Sequence, residues 1–87
     1  MLMEDEKTAL LWAMIDGIEP VHLETAKGLA LELAERIDDR ERAAELCAGL
    51  EDQLDRLWVA ANFNWPLETF QSDARAALNK LVAAGFN

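Results

Sequence analysis

The sequence predicts an all-α fold, a small antiparallel bundle of about four helices spanning roughly 4–16, 21–37, 39–61 and 66–84. Three observations carry this. Apolar residues recur at steps of three and four through long stretches, which keeps one stripe of a helix facing one way. Ala, Leu and Glu, all strong helix formers, dominate the composition. Strand-type alternation is missing, and four glycines with two prolines leave little room for long loops.

The first helix is expected from Glu4 to Asp16, closed by Gly17. Its Ala9–Ile15 block is apolar on every side. A surface helix should keep one polar face, so this one is expected to be central or covered on two sides, the second cover being another copy of the chain. The second helix is expected from Val21 to Ile37, with Pro20 suited to its first turn. Ala26, Leu29, Ala30, Leu33, Ala34 and Ile37 share its inner face, and Leu31 lies opposite.

The third helix starts at Asp38 or Asp39, either of which can serve as N-cap. Asp38 with Glu41 resembles a capping box. Its seam is Ala43, Cys47, Leu50, Leu54, Leu57 and Ala61. Asp38/Arg42 and Asp52/Arg56 are favourable i,i+4 pairs, while Glu41/Glu45 and Glu51/Asp55 oppose like charges. At 100° per residue Glu41, Glu45, Asp52 and Asp55 fall opposite the seam, a carboxylate row about 21 Å long. The fourth helix is expected from Pro66 to Ala84, with Leu67, Phe70, Ala74, Ala77, Leu78 and Leu81 as its seam. Gly85 reads as a left-handed C′ residue and Phe86 as the apolar C″ residue of a Schellman cap.

Eighty-seven residues make one domain, 1–87. So short a chain buries only about 60–65% of the surface its unfolded form exposes, and dimerisation would add stability. With 52% hydrophobic and 29% charged residues it is globular, not disordered. The net charge is −9. Residues 63–87 balance Glu68 and Asp73 against Arg75 and Lys80, so the acidity lies in the first three quarters. That charge disfavours direct nucleic-acid binding and attracts a basic partner. The seven apolar residues Ala9–Ile15 are too few for a signal peptide or a membrane span, so a cytoplasmic location is the expectation.

Catalytic chemistry finds little to work with. There is one histidine, one cysteine, no tyrosine, and Ser72 is the lone serine. Cys47 on a core seam behaves as a small hydrophobe, an inert thiol. Glu19 and His22 match one Glu-x-x-His unit of a di-iron bundle, but the chemistry needs two such units and further glutamates. No catalytic, cofactor-binding or metal-binding residue is assigned, and no cofactor is expected.

The connector Asn62-Phe63-Asn64-Trp65-Pro66 has the most unusual local composition. The simpler expectation is that its aromatics seal one end of the bundle, with asparagine accepting a left-handed turn. The functional one is an aromatic anchor in a partner interface. The sequence thus leads to a non-enzymatic protein–protein interaction module that forms a homodimer or binds a protein partner. The candidate contact residues are Glu41, Glu45, Asp52, Asp55, Phe63 and Trp65. The alternative is an acidic inhibitor of the immunity-protein or antitoxin type, or a nucleic-acid mimic, that blocks a basic site on its target.

Overall fold

The structure, a computed structural model, describes the backbone of residues 2–17 and 22–85 and the side chains of residues 6–17 and 22–85. Four helices follow in order: α1 (Leu2–Gly17), α2 (Leu23–Ala34), α3 (Arg40–Asn62) and α4 (Glu68–Gly85), with no strand among the described residues. Pro20, Val21 and Phe86, expected at helix ends, and Glu19 of the Glu-x-x-His match lie outside the described residues.

Side-chain contacts fix the directions of the helices. Lys7 Nζ meets Glu32 Oε1 at 2.6 Å, so the start of α1 lies beside the end of α2. Arg75 holds Asp16 through its Nε at 3.0 Å, and Gln71 Nε2 donates to the carbonyls of Ile15 and Asp16 at 3.4 and 3.3 Å. The end of α1 therefore lies beside the first half of α4. Lys27 Nζ meets Asp55 Oδ1 at 2.9 Å, which sets the start of α2 beside the second half of α3. The helices thus run up, down, up and down, with each packed against its chain neighbours and α1 against α4. α2 also touches α4 across the bundle. The radius of gyration is 12.3 Å, against about 12 Å for a compact chain of this length.

The core is the periodic pattern made solid. Leu11 and Ile15, then Ala26, Leu29, Ala30, Leu33, Ala34 and Ile37, then Ala74, Leu78 and Leu81 are all buried. α3 contributes Ala43, Cys47, Leu50, Leu54 and Leu57, and ends its seam on Trp58 and Ala60 where the spacing predicts Ala61. Because α3 packs on both α2 and α4, its buried arc is wider than a single stripe and swings past Ala61, which is only half-buried. No charged or polar residue is buried among the described residues.

Four other expectations change. α2 stops at Ala34, not Ile37, because the chain tightens into i→i−3 bonds, Arg36 N–H to the Leu33 carbonyl at 3.2 Å and Ile37 N–H to that of Ala34 at 3.1 Å. Asp39 alone caps α3, its carboxylate accepting from Glu41 N–H at 3.1 Å and Arg42 N–H at 3.2 Å. Asp38 therefore stands one residue too early for a capping box, and it makes no ion pair with Arg42 among the described residues. Gly85 is the last helical residue of α4 and no described glycine has positive φ. An added Cβ would make ordinary contact with the end of α2, 3.7 Å from Arg36 Cβ, so neither backbone conformation nor packing demands glycine there. Finally, α1 is not central, and its second side is not covered from within this chain. Leu11 and Ile15 are buried and Trp12 and Met14 pack on the core, but Ala9, Leu10 and Ala13 are exposed.

Candidate interaction surface

The four carboxylates of the acidic row do not form one free row. Helical geometry spreads them roughly 40° to either side of Glu41, and α3 has a neighbour on each flank. Asp55, on one side, turns to α2 and pairs with Lys27. Glu45, on the other, borders a groove of about 480 Å³ between α3 and α4, floored by Gly49, Ala76 and Ala77 and edged by Asp73 and Lys80. Between them Asp52 holds Arg56 at 3.0 Å, the i,i+4 pair the sequence predicts. Glu41 and Glu45 remain exposed, with no ion pair among the described residues. The Lys27 ammonium is held above its usual pKa by its bond to Asp55, aided by the charges of Asp55, Glu24 and Glu51.

Cys47 is buried on the side of α3 that faces α2. Its Sγ lies 3.9 Å from Glu51 Oε2. Burial pushes the thiol pKa up, and the Glu51 charge and hydrogen bond push it the same way. A thiol so placed stays protonated and unreactive at neutral pH. His22 is exposed just before α2, and its side chain makes no cap.

The aromatic connector forms the most distinctive surface. α3 ends with Phe63 N–H donating to the Val59 carbonyl at 3.0 Å. Asn64 then adopts φ 60°, and Trp65 N–H reaches back to the Ala60 carbonyl at 2.9 Å. That is the six-to-one bond of a Schellman turn with asparagine in the left-handed position. The motif expected at the end of α4 occurs here, at the end of α3. The turn stacks Phe63 on Trp65 with centroids 5.8 Å apart, and Trp65 on Phe70 at 6.4 Å, the planes inclined by 28° and 29°.

This ladder does not seal the core. Phe63 is 67% exposed, Trp65 50% and Val59 42%. Only Phe70, with Leu67, packs back on the buried cluster. The end-sealing expectation is therefore replaced by an exposed aromatic corner. Beside it lies an open hollow of about 320 Å³ lined by Asp55, Arg56, Val59, Trp65 and Phe70.

The structure joins Phe63, Trp65 and Asp55 at this corner and leaves Glu41 and Glu45 toward the other end of α3. Val59 and Phe70 belong to the surface as well. Val59 stands one helical turn before Phe63, a spacing that puts both on one face. Phe70 sits five residues past Trp65, across the proline. Among the described residues no helix is long and apolar enough to cross a membrane, and no group of three His, Cys, Asp or Glu side chains is placed to hold a metal ion. Comparison with protein-family models, with curated proteins and with solved structures finds no match to this chain.

Proposed function

We propose that this protein is a non-enzymatic protein–protein interaction module that docks its partner at the aromatic corner between α3 and α4. What supports this is the exposed ladder of Phe63, Trp65 and Phe70 beside an apolar hollow. Monomeric proteins seldom leave large apolar groups clustered on the surface, and Trp and Phe are enriched where partners meet. The turn itself needs only Asn64 and backbone hydrogen bonds, so it does not call for aromatic side chains. The proposed setting is cytoplasmic, with the single thiol kept reduced.

The acidic-inhibitor alternative draws on free carboxylates. Its four do not act as one row, since Asp52 and Asp55 pair with Arg56 and Lys27 in the second half of α3 while Glu41 and Glu45 stand toward its start. Homodimerisation draws on a different observation, the exposed Ala9, Leu10 and Ala13 of α1. Sedimentation velocity over a wide concentration range tests it, and a strict monomer removes it.

The docking role is tested by replacing Phe63 with a photo-crosslinking residue in the intact chain, within its native cells. Discrete adducts should form there, disappear in a Trp65→Ser background, and be missing when the crosslinker stands at Arg42, exposed at the far end of α3. Identical adduct patterns from positions 63 and 42 would refute the docking role.

A further inference from the structure

We infer that the occupant of the aromatic corner is a cationic amphipathic segment of a partner protein. It seats an aliphatic side chain in the hollow between Val59, Trp65 and Phe70, and sets Lys or Arg residues against Asp52, Asp55 and Glu68. This rests on the docking role proposed above and names the chemistry of the partner.

The hollow supplies the first half. Three of its five walls are apolar side chains. At about 320 Å³ it lies at the bottom of the range for ligand pockets, a fit for a side chain rather than a cofactor. The adjoining rings of Phe63 and Trp65 stay exposed, so the surface extends past the hollow, as a protein contact requires.

Charge supplies the second half. Asp55 and Arg56 form the other two walls, one acid and one base, but the cation of Asp55, Lys27, also feels Glu24 and Glu51, so one ammonium stands among three carboxylates. Arg56 is held by Asp52 in a pair whose two side chains are 61% and 57% exposed. So exposed a pair contributes little and exchanges partners at little cost. Glu68, in the first turn of α4, is exposed with no ion pair among the described residues. The last turn of α3 holds no basic residue to offset the negative end of that helix. Acidic groups around aromatic faces attract cations by Coulomb and cation–π terms together.

The same charges argue against other occupants. A second copy, related by a two-fold axis, would set the same acid-rich patch against itself, on a chain of net charge −9. Phosphates of nucleic acid and anionic lipid headgroups are repelled likewise.

Titration of the isotope-labelled intact protein with three synthetic peptides, followed by amide NMR, tests this. The first alternates Leu and Lys to form an amphipathic helix. The second replaces Leu by Ser at the same charge, and the third replaces Lys by Glu. The Leu/Lys peptide should bind alone, shift the amides of Val59, Phe63, Trp65 and Phe70, and weaken as salt rises. Trp65→Ser should weaken it by about tenfold or more with helicity unchanged by circular dichroism. Equal binding of the Ser/Lys peptide would mean a merely electrostatic association and overturn the inference, as would equal binding of the Leu/Glu peptide. Concentration-dependent shifts at the corner without peptide would make a second copy the occupant and overturn it too. Corner-specific crosslinks at position 63 with no Leu/Lys binding would defeat the cationic chemistry while leaving the docking role standing. Loss of those crosslinks would defeat the role itself.

Discussion

At the scale of single residues, Cys47 links burial to pH. The folded protein holds its thiol proton more tightly than the unfolded chain does, because burial and then Glu51 raise the pKa. The charged groups around it are Glu51 on its own helix and Glu35 and Arg40 on the adjoining hollow. A raised folded pKa gives stability that is complete below the unfolded thiol value, about 8.5, and lost as pH climbs through the folded one. The unfolding free energy of the wild type should therefore fall relative to Cys47→Ala in the alkaline window above roughly pH 8.5. Below that window the two should differ by a constant, the cost of the smaller side chain. Urea denaturation at stepped pH gives both curves, and parallel curves through the alkaline range would show that the thiol is not perturbed. Lys27 acts later, since its usual value is 10.5 and Asp55 moves it upward.

Helix ends decide the next scale, and Arg40 decides one of them. Although it is the first residue of α3, its guanidinium donates to the Ala34 carbonyl at 3.0 Å and also to that of Ile37, which closes the end of α2. The Ala34 carbonyl already accepts from Ile37 N–H, so the guanidinium gives it a second donor and supplies one to the Ile37 carbonyl just past the helix end. Arg40→Met should cost about 1–2 kcal/mol, since charged donors give stronger bonds than neutral ones and this site is only part-buried. Arg42→Met, two residues on and exposed, should cost about 0.5 kcal/mol or less. Equal losses by chemical denaturation would remove the capping role. The sequence reveals inner faces well, because Leu29, Leu33 and Ile37 or Ala74, Leu78 and Leu81 follow the helical period whatever they pack against. It reveals ends poorly. Nothing local distinguishes an arginine that starts one helix from one that closes the helix before it. Asp55 shows the same limit at the candidate site. Its bond to Lys27 crosses from α3 to α2, so a wheel drawn for α3 alone leaves it on the outer face. Phe63 and Trp65 were visible as an unusual pair, but their exposure depends on the left-handed turn at Asn64, which aims the rings away from the core.

For the whole molecule, the distribution of large apolar groups separates stability from recognition. The core is continuous from Leu11 to Leu81 and keeps Leu50, Leu54 and Leu57 wholly out of water. A chain of this length has a total stability of about 4–13 kcal/mol, so removing one such side chain is a large event. Leu54→Ala should cost about 2–5 kcal/mol, the loss of transfer energy plus a cavity. The corner follows other rules. Phe63 is mostly in water and stacks on one ring, and Trp65 is half in water and stacks on two. Stacks of this kind contribute about 0.5–1.5 kcal/mol each beyond the area they bury. Phe63→Ser should therefore cost about 1 kcal/mol or less, and Trp65→Ser about 1–2 kcal/mol, with the helical signal retained in both. Two aromatic rings would then be held on the surface for little return in stability, as an interaction site requires. Thermal and urea unfolding of the three variants side by side makes the comparison. If Phe63→Ser destabilises as much as Leu54→Ala, the ladder is a lid on the core and no docking site need be invoked. If it leaves stability nearly intact while abolishing crosslinks through the corner, fold and recognition are carried by different residues of the same helix, α3 holding the core with Leu54 and beginning the docking surface at Val59.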